Sequence, residues 1–238
     1  GKRKCRFSRI VVDAVLSSVR NDDDYSDKPT KRLAHDEWRQ FLKGGSQDRL
    51  TETFTVAELD AVPAKLKTGT AAGYDDLSPE FLLHMGHGSK RWFTQLLSRV
   101  LLESSLPGSW RQAKVIALLK PGKDPTLPAS YRQISLLNVS LKTLERLILH
   151  RINPHVESVL SPNQAGFRQG RSTCDQVVAL TTFIENGFQK NLKTGSIFLD
   201  LTAAYDTVWH IGLFVKLRRW LPRWVVLAVE LLPRNRRL

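Results

Sequence analysis

Apolar residues recur along the chain with two different periods, which predict a mixture of helices and strands. Between residues 90 and 103 they are spaced three and four apart, which places them on one stripe of an amphipathic helix. The same spacing predicts helices over 139–159 and from 175 through 184, with two more around 213–220 and 224–232. We expect the stripe of the 90–103 helix to face the hydrophobic core.

Shorter runs that end at turn signals predict strands. One predicted strand covers residues 113–120 and ends at the turn residues Pro121 and Gly122. A second predicted strand covers residues 131–135, and we expect the two to pair, with basic residues at the tip between them. Residues 196–201 predict a buried strand, because 197–201 are apolar apart from one acid. The loop over 160–172 is too polar and glycine-rich to form a helix or a strand.

Capping signals set the boundaries of the N-terminal half. Thr55 and Glu58 form a capping box, which predicts a helix continuing through Leu66, although Pro63 inside it would cost about 3 kcal/mol. Before this point the sequence is typical of a linker with a short helix around 35–42. We therefore predict an N-terminal extension over residues 1–53 and a folded region over 54–238.

Charge indicates the class of partner. The formal net charge is +13 and the pI is near 10.0, so at neutral pH the surface concentrates polyanions. We interpret this charge first as a sign of a nucleic-acid partner. The alternative is that the basic surface only favours solubility. Hydrophobic residues make up 42% of the chain, which is enough to bury a core.

Other features narrow the compartment. Cys5 and Cys174 are far apart in sequence and have no ligands at metal spacing nearby, so we predict neither a disulfide framework nor a zinc site. No apolar run reaches the ~20 residues that span a bilayer. We expect a soluble protein of the nucleus or cytoplasm that is not secreted and has no membrane partner.

The most informative residue for chemistry is Asp200, which lies inside the otherwise apolar run 197–201. A carboxylate among apolar residues binds a metal, pairs with a cation or sits at the exposed end of its strand. Taken alone, the strand-end interpretation is at least as good as the functional one. The continuation favours function, because small residues follow and bring Tyr205 and Asp206 beside the acid.

The segment around Asp200, FLDLTAAYDTV at 198–208, resembles the first catalytic motif of reverse transcriptases from jockey-type non-LTR retrotransposons. Further stretches resemble the same family in the same order. They are AAGYD at 71–75 with PEF at 79–81, WRQAKVI at 110–116, LKPGKD at 119–124, YRQISLLN at 131–138 with LER at 144–146, and QAGFRQGRSTCDQ at 164–176. Asp76 is a departure, because it stands where the family usually has glycine.

The resemblance implies an α+β fold, the fingers and part of the palm of a right-hand polymerase. It implies an RNA template, a DNA primer, deoxynucleoside triphosphates and two Mg²⁺ ions, which neutralise charge during phosphoryl transfer. Asp200 matches the first metal ligand of the family, assisted by the carbonyl of Leu201. Tyr205 matches the aromatic gate that excludes a ribose 2′-hydroxyl; a packed aromatic at a helix start is the alternative.

The same resemblance assigns the remaining candidates. Lys120 and Arg132 would grip the incoming triphosphate, Arg as a fork and Lys as a point charge. A second set would contact the template strand, with an aromatic ring available for stacking on a base. This set consists of Gly166, Phe167, Arg168 and Arg171. For the triphosphate residues, the alternative is that they are solvated side chains at a turn. For the template residues, the alternative is an ordinary loop anchored by Phe167.

The family continues into a paired-aspartate hairpin that supplies further metal ligands. After Asp200 this chain has only Asp206 and Glu230 as acids, and one carboxylate does not hold two Mg²⁺ ions. We therefore expect the chain to be inactive by itself. A nucleic-acid-binding module without catalysis is one rival hypothesis, and a structural or interaction protein derived from such an element is another.

Overall fold

The computed structural model describes residues 28–44, 53–62, 69–199 and 208–233. Within these ranges two strands pair in antiparallel fashion, and short 3₁₀ turns at Gly108–Arg111 and Pro128–Ser130 precede them. The strands are β1 (Ala113–Leu119) and β2 (Tyr131–Leu137). The helices are α1 (Lys28–Lys43), α2 (Val56–Ala61), α3 (Pro79–Leu83), α4 (His87–Leu102), α5 (Val139–Val159), α6 (Thr173–Gln189), α7 (His210–Leu217) and α8 (Arg223–Leu231). The mixture of helix and strand that the periodicity predicts is confirmed.

The described residues divide into two compact units. The first contains those between 43 and 155 and those from 221 onward, and the second contains those between 28 and 42 and between 156 and 220. The predicted domain boundary after residue 53 stays a prediction, because residues 45–52 lie outside the described part. Within that part, no helix combines the length and apolar character needed to cross a membrane.

Helix α5 supplies the centre of the core of the first unit. Five of its side chains, spaced three and four apart as predicted, are at most 1% exposed. The predicted apolar stripe of α4 is also buried at its centre, where Phe93 is 5% and Leu97 is 0% exposed. Burying each such side chain contributes roughly 1.5–3 kcal/mol. The five buried residues of α5 are Leu141, Leu144, Leu147, Ile148 and Ile152.

The predicted capping box at the start of α2 is confirmed. The Thr55 hydroxyl accepts a hydrogen bond from the Glu58 N–H at 3.1 Å, and the Glu58 carboxylate accepts one from the Thr55 N–H at 2.8 Å. The prediction that this helix continues through Leu66 is wrong, because α2 ends at Ala61. It stops short of Pro63, whose ring and missing N–H do not fit a helix interior. Residues 63–68 lie outside the described part.

In the second unit, α1 is longer than the short helix predicted around 35–42. It begins at Lys28, buries Ala34 and Trp38, and places the Trp38 ring 5.1 Å from that of Phe214 in α7. Glu37 of the same helix accepts a hydrogen bond from Arg218. The predicted helix around 35–42 is therefore confirmed as the C-terminal part of a longer helix, which packs its Trp38 side against α7.

The predicted buried strand over 196–201 is wrong for residues 196–199. Ile197, Phe198 and Leu199 have no strand partner in the described part and are 88%, 82% and 89% exposed. A strand needs a neighbour for its backbone groups and apolar side chains, and none is present among these residues. Helix α6 has no buried residue, and its Phe183 is 67% exposed.

Candidate nucleic-acid interface

Lys120 and Arg132 lie near the tip of the β1–β2 ribbon. Arg132 is paired with Leu118, and the Lys120 N–H donates to the Ser130 carbonyl at 2.8 Å, which extends the ladder beyond β1. Because side chains alternate between the two faces of a strand, Leu118 and Lys120 share a face, and the paired Arg132 shares it with them. The ribbon therefore presents both cations on one side, and the contact with a triphosphate that we predict for them stays a prediction.

Local hydrogen bonds hold the loop at this tip. The Asp124 carboxylate accepts bonds from the N–H and hydroxyl of Thr126 at 2.8 and 2.7 Å, and the backbone bond is the main reason that the pKa of Asp124 is lowered. The Tyr131 hydroxyl donates to the Pro125 carbonyl at 2.9 Å. Gly122 has a φ of +69°, a conformation that favours glycine. The loop is thus shaped by its own polar groups and not by burial.

The ribbon also exposes aliphatic side chains beside its cations. Ile116 and Leu118, on the face of Lys120, are 37% and 48% exposed, and Leu119 on the opposite face is 45% exposed. A face with both apolar and cationic groups can contact the sugar and phosphate parts of a nucleotide at the same time.

Arg168 holds the loop over 160–172 together. Its Nε donates to the Glu157 carboxylate at 2.8 Å and its Nη1 donates to the Ser161 carbonyl at 3.0 Å. The side chain is only 14% exposed. A template contact by Arg168 stays a prediction, and it would require this guanidinium to turn away from Glu157. Sequence reasoning missed Glu157, since a separation of 11 residues gives no periodic signal.

The other predicted template residues are more open. Phe167 is 38% exposed and has a left-handed φ of 59°, with Gly166 exposed beside it. Arg171 is exposed immediately before Ser172, whose hydroxyl accepts the Asp175 N–H and caps α6. Hydrogen bonds from Ser172, the backbone one first, hold the pKa of Asp175 below its usual value. Template contact by these residues stays a prediction.

The predicted catalytic residues Asp200, Leu201 and Tyr205 lie outside the described residues. Among the residues that are described, no group of three His, Cys, Asp or Glu side chains could hold a metal ion. A carboxylate and a backbone carbonyl are the hard oxygen donors that Mg²⁺ takes, so the predicted ligands suit that ion in kind. They are too few by themselves to fix two such ions.

Gly73 and Asn138 form a junction that sequence reasoning missed. A Cβ atom on Gly73 would stand 2.8 Å from the backbone nitrogen of Asn138. The Asn138 side chain accepts the Ser140 N–H at 2.8 Å and its carbonyl accepts the Lys142 N–H at 3.1 Å, so Asn138 caps α5. An Asn just before an apolar periodic run was the available signal.

Known proteins share these segments. The family described as reverse transcriptase (RNA-dependent DNA polymerase) matches residues 118–231, from the ribbon to α8. The probable RNA-directed DNA polymerase from transposon X-element of Drosophila melanogaster is 32% identical over 93% of this chain and 26% of its own length. That from transposon BS of the same species is 38% identical over 53% of this chain and 14% of its own length.

A further relative is the RNA-directed DNA polymerase from mobile element jockey of Drosophila melanogaster. It is 32% identical over 74% of this chain and 19% of its own length. The chain thus spans about a quarter or less of the curated relatives that it matches. The described helices and strands are consistent with such a domain. The chain belongs to the reverse transcriptase family and is a partial reverse transcriptase domain of the non-LTR retrotransposon type.

Proposed function

We propose that this chain supplies the fingers and the first palm residues of an RNA-directed DNA polymerase. The parent protein would copy an RNA template by extending a DNA primer with deoxynucleoside triphosphates. The observation that carries the proposal is the family match over residues 118–231, which contains the ribbon cations, the loop over 160–172 and Asp200. In this arrangement the ribbon is a fingertip and residues 196–201 belong to the palm.

Each part of the site has a distinct role. Lys120 and Arg132 bind the triphosphate from one face of the ribbon, and Tyr205 selects against a 2′-hydroxyl. The loop residues Gly166, Phe167, Arg168 and Arg171 contact the template, for Arg168 only when its ion pair with Glu157 opens. Asp200 and the carbonyl of Leu201 would help to hold Mg²⁺, which would neutralise charge on the attacking oxygen and on the leaving pyrophosphate.

A second candidate function is nucleic-acid binding without catalysis. The net charge of +13 supports it, because a basic surface concentrates polyanions whether or not catalysis takes place. The exposed Ile197, Phe198 and Leu199 support the view that catalysis needs further chain, because a neighbouring strand would both cover them and bring additional carboxylates. The working compartment would be the nucleus or the cytoplasm.

Primer extension separates the two candidates. The purified 238-residue chain, given an RNA template, a DNA primer, deoxynucleotides and Mg²⁺, should incorporate nothing. Activity should appear once a downstream palm segment from a relative is fused to the chain, and Asp200→Ala should abolish it. The prediction that the chain alone is inactive would be wrong if the unfused chain incorporated nucleotides and Asp200→Ala abolished that incorporation.

Salt-dependent binding tests the ribbon. Affinity for a primer–template duplex should fall steeply with salt, because each neutralised phosphate releases condensed counterions. Lys120→Ala and Arg132→Ala should each reduce the slope of log affinity against log salt by about 1. Arg99→Ala is the matched control, since that guanidinium is already paired with Glu103 at 3.0 Å. A flat salt response for the unchanged chain would remove nucleic acid as the partner.

A further inference from the structure

An apolar pocket of about 560 Å³ opens in the first unit and is lined by none of the residues assigned above. Its walls come from α3, α4, the 3₁₀ turn before β1 and the start of α5. Small-molecule sites have volumes of about 300–1,000 Å³ and are mostly apolar, with a few polar groups that fix orientation. The size and lining of this pocket fit that class of site.

Aromatic rings form both the rim and the floor of the pocket. Trp92 and Phe81 form the rim and are 64% and 55% exposed. Phe93 and Trp110 form the floor and are 5% and 7% exposed. When a flat apolar group covers large rings that are this exposed to water, the free energy of the system falls. The pocket therefore favours a planar ligand that stacks against the exposed rings.

Two hydroxyl groups supply the polar part of the lining. Ser140 is 8% exposed and Ser89 lies in the first turn of α4, and both line the pocket. Neither hydroxyl is hydrogen-bonded within the described part of the chain. The lining residues include no Asp, Glu, Lys or Arg. A neutral heteroaromatic ring with donors and acceptors on its edge satisfies both the rings and the hydroxyls.

We propose that this pocket binds one unpaired nucleobase, stacked on Trp92, with the hydroxyls of Ser89 and Ser140 contacting its edge. The net charge of +13 identifies the source, because it concentrates polyanions whose bases can reach the pocket. The chain thus grips a single strand by a base as well as by its phosphates. This inference does not depend on polymerase activity, and its test uses binding alone.

The first test compares two labelled oligomers by fluorescence anisotropy on the full chain. One is an eight-nucleotide single-stranded RNA and the other carries the same number of phosphates without bases. The RNA should bind about 5- to 150-fold more tightly, the range expected for one stacked base. Trp92→Ala should remove this advantage and Trp92→Phe should keep most of it. Trp220→Ala, which alters a tryptophan that is 42% exposed in the second unit, should leave it unchanged.

A second variant fills the pocket without removing a ring. Gly88 lines the pocket, and a Cβ atom there would meet no atom within 4 Å, so Gly88→Leu should block the space without distorting α4. Its matched control is Gly195→Leu, where a Cβ would also meet nothing within 4 Å. Gly88→Leu should abolish the base-dependent part of binding and preserve the salt slope.

The outcomes that overturn the proposal are distinct. The proposal is wrong if the unchanged chain binds the two oligomers with equal affinity. It is also wrong if Gly88→Leu and Gly195→Leu lose equal amounts of the base-dependent affinity. If adenosine alone competes fully with the RNA, the ligand is a free nucleoside and not a strand. If Gly88→Leu instead weakens only the binding of a leucine-rich amphipathic peptide, the pocket is an anchor for a protein helix.

Discussion

Gly73 approaches Asn138 so closely that the backbone nitrogen of Asn138 and the carbonyl oxygen of Leu137 would each lie 2.8 Å from a Cβ on Gly73. These are backbone atoms, which cannot rotate away as a side chain can. The contact joins the turn around Gly73 to the residue that caps α5. Only glycine permits this spacing.

The first prediction follows from that spacing. Gly73→Ala should lower the free energy of unfolding by about 1–3 kcal/mol, the usual cost of overpacking. Gly88→Ala is the control, because its Cβ would meet no atom within 4 Å and alanine favours a helix, so it should be neutral or stabilising. Urea denaturation measures both. Equal stability of the two variants would mean that the backbone at Gly73 relaxes without cost.

The second prediction concerns Asp76, which stands where reverse transcriptases of the jockey type usually have glycine. Its φ is 51°, in the left-handed region that favours glycine, and its N–H donates to the Gly73 carbonyl at 3.3 Å. Asp76→Gly should therefore stabilise the chain, by about 0.5–1 kcal/mol after the added freedom of the unfolded state is subtracted. Asp75→Gly is the control and should not stabilise, since Asp75 accepts the Leu77 N–H. A loss of stability in Asp76→Gly would show that its side chain matters more than its backbone.

The third prediction concerns Glu58, which caps α2 and also binds Arg151. Arg151 Nε donates to the carboxylate at 2.7 Å, and this bond is the main reason that the pKa of Glu58 is lowered from 4.5 to about 2. A lowered folded-state pKa stabilises the fold fully above pH 4.5, and this stabilisation is lost as the pH falls toward 2. Arg151→Ala should cost about 1–3 kcal/mol at pH 7 and flatten the decline below pH 4.5.

Urea denaturation between pH 7 and pH 2.5 checks this prediction. Arg99→Ala is the matched control, because that pair with Glu103 is 77% and 61% exposed and should contribute less than about 0.5 kcal/mol. An unchanged pH dependence in Arg151→Ala would contradict the assigned cause.

The fourth prediction separates the two arginines of the loop over 160–172. Arg168→Ala removes the bonds to Glu157 and Ser161, so it should lower the unfolding free energy by about 1–2 kcal/mol and speed proteolysis of the loop. Arg171→Ala should leave stability within about 0.5 kcal/mol and reduce the salt slope of RNA binding by about 1. The opposite pattern would show that Arg168 is the template contact and Arg171 the structural residue.

Sequence reasoning succeeded where a signal is local. The capping box at Thr55, the apolar stripe of α4 and the bounds of α5 all follow from residues within a few positions of one another. Predictions of this kind require no knowledge of distant partners.

It failed where the outcome depends on a distant partner. Trp38 makes α1 part of a core only because Phe214 packs against it, and that contact has no periodic signal. The run around Phe198 has the composition of a buried strand, but composition does not supply a neighbouring strand. The predicted roles of Asp200 and Tyr205 rest on the family resemblance, because their placement lies outside the described residues.

The bond between Glu58 and Arg151 also has a consequence for synthesis of the chain. These residues are 93 positions apart, so at about 5–20 residues per second Glu58 is made roughly 5–20 s before its partner. During that interval the residues of α2 lack the long-range contact that fixes them to α5, and a helix of six residues is not stable without such a contact. Closing so long a loop costs entropy before the contact forms, which slows folding of this unit relative to a purely local helical one.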